Sequence, residues 1–187
     1  MRRSIIVIIF AMLPFMIAQN KANPEVIMKT NYGDIHLVLY QDRAPVTVQN
    51  FLRYVDAKFY DGTIFHRVIG NFMIQGGGFV PGFVEKKTFQ PIVNEAANGL
   101  KNARGTVAMA RTNVVNSATS QFFINVVENY PLDYQNPSSQ GFGYCVFGQV
   151  TRGMEVVDRI RSVPTKTVGY FQDVPQQDVV IISVRRK

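Results

Sequence analysis

The chain has 187 residues, 47% of them hydrophobic, which is enough for one buried core, and a single folded domain over 24–187 is expected. Its formal charge of +7 raises the question of nucleic acid, but the bases are scattered apart from Arg2, Arg3 and the terminal Arg185, Arg186 and Lys187. A solvated basic surface is expected and no nucleic-acid partner. Fourteen Phe, no Trp, 14 Gly and 9 Pro point to many short elements joined by tight turns, a pattern that leans towards β structure.

The first segment is Arg2 and Arg3, then an apolar run from Ile5 to Ala18, then polar Gln19, Asn20 and Lys21. The run falls short of the roughly 20 apolar residues that a bilayer-spanning helix needs. A cleaved export signal over 1–18 is expected, with cleavage after Ala18 or as late as Ala22, and no stable membrane insertion afterwards. Residues 25–32 and 34–40 read as two strands around the turn sequence Asn31-Tyr32-Gly33-Asp34. A helix then starts near Ala44 with Pro45 in its first turn and carries Val48, Phe51, Leu52 and Val55 at helical spacing.

Further strands are expected over 64–69 and 72–75, the second ended by Gly76-Gly77-Gly78, and over 105–110, 121–127, 144–150 and 178–185. A second helix over 154–161 places Met154, Val157 and Ile160 on one stripe. Residues 133–143 and 166–175 read as loops.

Two His and one Cys, far apart in sequence, make no metal cluster, so no metal and no cofactor are expected. Cys145 has no partner in the chain and reads as a small buried hydrophobe. Neither His36 nor His66 accompanies a nucleophile-elbow motif, which speaks against hydrolase chemistry. The glycine run lacks the Lys and Ser or Thr of a phosphate loop and reads as a strand end that needs close backbone approach.

Strand alternation puts Met73 and Gln75 on one face and Phe72 and Ile74 on the other; likewise Gln121 and Phe123 oppose Phe122 and Ile124. Two strands that each pair a Gln with a large apolar neighbour describe either a peptide-binding pocket wall or a half-exposed sheet face. Arg67 shares a face with Phe65 and Ile69, so its head group either snorkels to the surface or points into a partly apolar cleft.

Phe65-His66-Arg67-Val68-Ile69, Phe72-Met73-Ile74-Gln75-Gly76-Gly77-Gly78, Ser120-Gln121-Phe122-Phe123-Ile124 and the block from Phe142 to Val150 closely resemble the signature blocks of cyclophilins, in order and spacing, from about Val26 to Val184. The resemblance implies a mainly β fold: a closed eight-stranded antiparallel β-barrel capped by two α-helices. It implies peptidyl-prolyl cis-trans isomerase activity with Arg67 as the catalytic residue. Phe72, Met73, Phe123 and Leu132 would form the proline pocket, Gln75 and Gln121 would hold the peptide, and Ala110 and Arg111 would supply backbone contacts. Tyr144 stands where the best-known eukaryotic members have a His and resembles the exported bacterial branch, which implies a periplasmic location. Pro131 replaces a Trp whose indole those members use to bind cyclosporin, so weak binding of that drug is expected. The implied partners are proline-containing unfolded or partly folded polypeptides, met by a monomer. A proline-binding holdase with incidental isomerase activity is the competing reading.

Overall fold

The computed structural model describes residues 22–187, so the expected export signal over 1–18 lies outside the described residues. The first hairpin forms as expected. Strands β1 (Glu25–Thr30) and β2 (Gly33–Leu39) pair antiparallel in an unbroken register from Glu25 opposite Val38 to Thr30 opposite Gly33. Inward-facing Val26, Met28, Ile35, Leu37 and Leu39 are fully buried, as the period of two requires.

Helix α1 (Pro45–Asp56) comes next. Its N-terminus has no cap from its own sequence; instead the carboxylate of Glu95, from a distant loop, accepts hydrogen bonds from the Val46 and Thr47 amides at 3.2 and 2.8 Å and from the Thr47 hydroxyl at 2.7 Å. An anion at this position satisfies orphan amides and complements the helix dipole. The helix's apolar stripe enters the barrel end, where the Phe51 ring lies 5.1 to 5.7 Å from those of Tyr60, Phe122 and Phe147.

The remaining elements are β3 (Thr63–Ile69), β4 (Met73–Gly76), β5 (Phe79–Val80), β6 (Val84–Glu85), β7 (Thr106–Met109), β8 (Phe122–Asn125), β9 (Val146–Arg152), α2 (Met154–Arg161), β10 (Thr165–Val168), β11 (Phe171–Pro175) and β12 (Val180–Arg186). Eight of these strands close an antiparallel barrel in the order β1-β12-β3-β4-β8-β7-β9-β2. Closure pairs every strand on both sides and leaves no edge. Helix α2 covers the opposite end from α1: Val156, Val157 and Ile160 are buried, and Arg159 and Arg161 donate to the carbonyls of Tyr32 and Gly70 in the two turns there.

Two short hairpins stand outside the barrel. The β10–β11 pair replaces the loop expected over 166–175. All four residues of β10 are exposed, so the segment carries no alternation of burial that sequence periodicity could register. The β5–β6 pair is likewise absent from the sequence-based expectation, being only two residues long on each side. The stretch 133–143 is irregular, as its composition suggests. Cys145 is buried, and burial pushes its thiol up to about 12, which keeps it protonated and inert.

Replacing Glu95 by Ala should lower the unfolding free energy by about 1–2 kcal/mol, because it leaves the first turn of α1 uncapped. Urea unfolding of the variant checks this; an unchanged midpoint would show that water caps the helix equally well.

Candidate active site

The barrel has two apolar faces. Its interior holds the main core, including Phe65, Ile74, Val107, Phe122, Ile124 and Phe147. On the outer wall a second cluster forms from Met73, Ala108, Phe123 and Val146, with Ile69, Phe72, Leu100, Ala110, Leu132 and Tyr144 packed around it. Strand register assembles this outer face: Arg67 pairs with Gln75, Gln75 with Phe123, Phe123 with Ala108, and Ala108 with Val146. One row of side chains thus crosses five strands, with a cation at one end, Gln75 beside it and apolar groups along the rest.

Simple alternation places Arg67 with Phe65, and the structure corrects this. The pairing steps from Phe65 opposite Gly76 to Arg67 opposite Gln75, so β3 spends an extra residue at His66. Such a bulge inverts the parity of the residues beyond it. Phe65 therefore enters the core while Arg67 and Ile69 stand on the outer wall. Phe72 is a second correction. It precedes β4 in a turn closed by its amide on the Ile69 carbonyl at 2.9 Å, so it escapes the alternation and joins Met73 outside.

A hollow of about 230 Å³ is lined by Arg67, Phe72, Met73, Gln75, Ala110, Arg111, Phe123, Leu132 and Tyr144. Gln121 does not line it. Its side-chain carbonyl accepts a 2.9 Å hydrogen bond from the Gln75 amide, so it orients Gln75 from behind. Room for Gln121 comes from Gly78, where a Cβ would stand 2.7 Å from the glutamine side chain; this is the close approach expected of the glycine run. A wider hollow of about 850 Å³ beside α1 contains none of these residues.

Buried amides hold the walls. Asn129 donates 2.7 Å hydrogen bonds to the Phe72 carbonyl and to the Asn125 side chain, and Asn125 donates in turn to Asn102 and Thr106. Asn102 donates to the buried Asp133 carboxylate through its backbone and its side chain. The Tyr144 amide donates to the Leu132 carbonyl at 2.9 Å. This network fixes Phe72, Leu132 and Tyr144 relative to one another, and no periodicity in the sequence marks it.

The two guanidinium groups of the hollow differ. Arg111 donates to the carbonyls of Gly143, Thr112 and Ser139 at 2.9 to 3.0 Å and covers the Tyr144 ring, with 4.8 Å from its guanidinium carbon to the ring centroid. It clamps the 133–143 loop. Among the described residues Arg67 has only Asp173, whose carboxylate lies 3.7 Å from its Nε, and both side chains are about 40% exposed. An exposed pair of this length contributes little energy and leaves the terminal nitrogens of Arg67 unengaged. Asp173 sits at φ 58°, a left-handed conformation on β11 that nothing in the sequence announces. Next to Arg67, His66 is buried, and burial together with the adjacent guanidinium pushes it down to about 4.

The molecule is thus a closed antiparallel barrel of the helix-capped class, with an apolar hollow on its outer wall that is edged by guanidinium groups and Gln75 and is large enough for a small ring. The family described as cyclophilin type peptidyl-prolyl cis-trans isomerase matches residues 25–186. Peptidyl-prolyl cis-trans isomerase B of Escherichia coli is 59% identical over 155 residues, covering 83% of this chain and 94% of that protein. A peptidyl-prolyl cis-trans isomerase of Acinetobacter baylyi is 58% identical, covering 89% and 87%. The crystal structure of a Cryptosporidium parvum cyclophilin type isomerase, also solved in the presence of the dipeptide Ala-Pro, superposes with a TM-score of 0.75 at 26% identity, covering 88% of this chain and 98% of that one. The chain belongs to the cyclophilin-type peptidyl-prolyl cis-trans isomerase family.

Asn129→Ala should cost about 1–3 kcal/mol of stability by leaving the buried Asn125 side-chain carbonyl without its donor and the Phe72 carbonyl with the Val126 amide alone, and should raise KM for a proline peptide by loosening the wall; unfolding and steady-state measurements check both. Folding depresses the His66 pKa below that of an exposed imidazole, so only the unfolded chain takes up this proton as pH falls below about 6.5. Stability present above that pH should therefore decline towards pH 4, and His66→Phe should flatten the slope between pH 6.5 and 5 in pH-dependent unfolding.

Proposed function

We propose that the hollow isomerises X-Pro bonds in exported polypeptides, with Arg67 as the catalytic residue. The observation that carries this reading is the contrast between the two arginines: each nitrogen of Arg111 donates to a carbonyl, whereas Arg67 stands beside Phe72, Met73 and Phe123 with its terminal nitrogens unspent among the described residues.

Rotation about an X-Pro bond is slow because it breaks amide resonance, with a barrier of roughly 18–20 kcal/mol. Once twisted, the prolyl nitrogen becomes pyramidal and acquires a lone pair. An N–H of Arg67 then donates to it in a charge-assisted hydrogen bond. The planar amide cannot accept this bond, so it stabilises the transition state and not the ground state.

Phe72, Met73, Phe123 and Leu132 hold the proline ring and exclude water that favours the polar planar amide, while the carbonyl preceding the proline rotates. Gln75 holds the peptide backbone: its NH₂ is engaged by Gln121, which leaves its carbonyl to accept from a substrate amide. The Ala110 amide already donates to the Gln121 carbonyl at 3.0 Å, so the backbone contacts to substrate from Ala110 use its carbonyl. Tyr144, its ring 5.7 Å from that of Phe123 in an edge-to-face arrangement, closes the side of the pocket. The steps call on no metal, cofactor or titrating group.

Two features support an exported, periplasmic enzyme that assists folding: the basic and apolar residues 1–18, and Tyr144, the residue that resembles the exported bacterial branch. Barrel closure supports a monomer, since none of the eight barrel strands leaves an edge to pair. Simple capture of proline by a holdase needs only the apolar residues, and the uncommitted Arg67 favours catalysis over capture.

Arg67→Ala should slow turnover at least about tenfold, equivalent to about 1.4 kcal/mol of transition-state stabilisation, with peptide affinity little changed. Exchange NMR on a proline peptide measures both, and an unchanged exchange rate would refute the role of Arg67. Because His66 stays neutral well above its depressed pKa, the wild-type rate should vary little between pH 6 and 8.

A further inference from the structure

A second hollow, of about 330 Å³, opens on the far side of Arg67. It is lined by His66, Arg67, Gln75, Tyr170, Phe171 and Gln172. Arg67 and Gln75 belong to both hollows, so the two are continuous across the guanidinium. Its outer wall is the β10–β11 hairpin, which lies outside the barrel and has no part in closing it.

The hairpin is tied to its neighbours through aromatic rings. The Phe171 ring lies 4.3 Å from that of Phe83 and 5.5 Å from that of Phe79, and Phe79 meets His66 at 4.8 Å. A chain of rings thereby ties the tips of both extra hairpins to the bulge in β3. Asp173, in its left-handed conformation, adds the contact to Arg67. Beside this staple Tyr170 is fully exposed, at the rim of the hollow. The wall therefore offers ring faces from Tyr170 and Phe171, a neutral imidazole, and amide groups from Gln75 and Gln172. Its cation is the one shared with the proline hollow. That mixture suits an uncharged, aromatic side chain with peptide groups around it, because the rings supply apolar area and the amides pair with backbone.

We infer that this hollow is a second subsite of the enzyme and takes an aromatic side chain of the same polypeptide, within about three residues of the proline. The inference rests on the reading of the first hollow as the proline site. Continuity fixes the occupant, since a chain seated against Phe123 with its prolyl bond at Arg67 has the second hollow directly beyond the guanidinium. An extended chain advances about 3.3 Å per residue, so a near neighbour of the proline reaches it.

The test is a series of alanine-based proline peptides with Phe at each of the three positions before and the three after the proline, assayed by exchange NMR on wild type, Tyr170→Ala and Arg67→Ala proteins. In wild type, Phe at one position should lower KM about three- to tenfold relative to Ala, and Tyr170→Ala should abolish that advantage. Shifts of the Tyr170 ring resonances on adding the preferred peptide should accompany it. If no position favours Phe, or if the advantage survives in Tyr170→Ala, the subsite is overturned while slowed turnover in Arg67→Ala still upholds the proline site. If Arg67→Ala turns over every peptide at the wild-type rate, the reading of the first hollow fails instead.

Discussion

The site depends on one constraint: a strand has two faces, and in a closed barrel one of them must be core. Where a strand faces water on its outer side, burial alternates, as in β1 and β2. Beneath the site it does not. Every residue of β7 and β8 is buried, on both faces, because the outer side carries a second apolar cluster covered by the irregular segments around Leu132 and Tyr144. A pocket for a small ring can form only where the wall is apolar outwards as well as inwards, and these strands supply that condition.

A single added residue then decides where the charge goes. Without the bulge at His66, Arg67 would share the inward face of Phe65, and a guanidinium in the barrel core would cost far more than the fold could offset. With it, the arginine stands at the end of the outer row, partly solvated, and remains charged without a buried partner. The weak, exposed contact to Asp173 suits that position. A tight bidentate pair would occupy the nitrogens that the proposed chemistry requires, as the three carbonyls around Arg111 occupy that residue's.

Rigidity comes from polar groups placed where the apolar wall ends. The Asn102, Asn125, Asn129 and Asp133 side chains are buried yet mutually hydrogen-bonded. A satisfied network of this kind costs little and permits one arrangement of the loops, whereas apolar replacements would allow several. The same loops carry Leu132 and Tyr144, so the geometry of the pocket is set by amides that never touch its contents. With no disulfide in the described residues, order in these segments rests on such bonds and on packing.

Strand and helix positions were legible in the residues themselves, since Ile35, Leu37 and Leu39 alternate and Met154, Val157 and Ile160 fall on one helical stripe. The residues that gather at the hollow were legible through motif blocks, and the facing of Gln121 and Phe123 against Phe122 and Ile124 came from parity alone. Tertiary structure decided the rest. The parity of Arg67 relative to Phe65 turns on a bulge, which is a pairing between strands and leaves no local mark. The β10–β11 hairpin owes its order to rings that meet β3 and its neighbours from far along the chain, and its fully exposed strand β10 lacks any periodic signal. Sequence by itself determined what each segment prefers to be, because propensity and alternation act between near neighbours; contacts between distant segments determined which face Arg67 occupies and what stands opposite it.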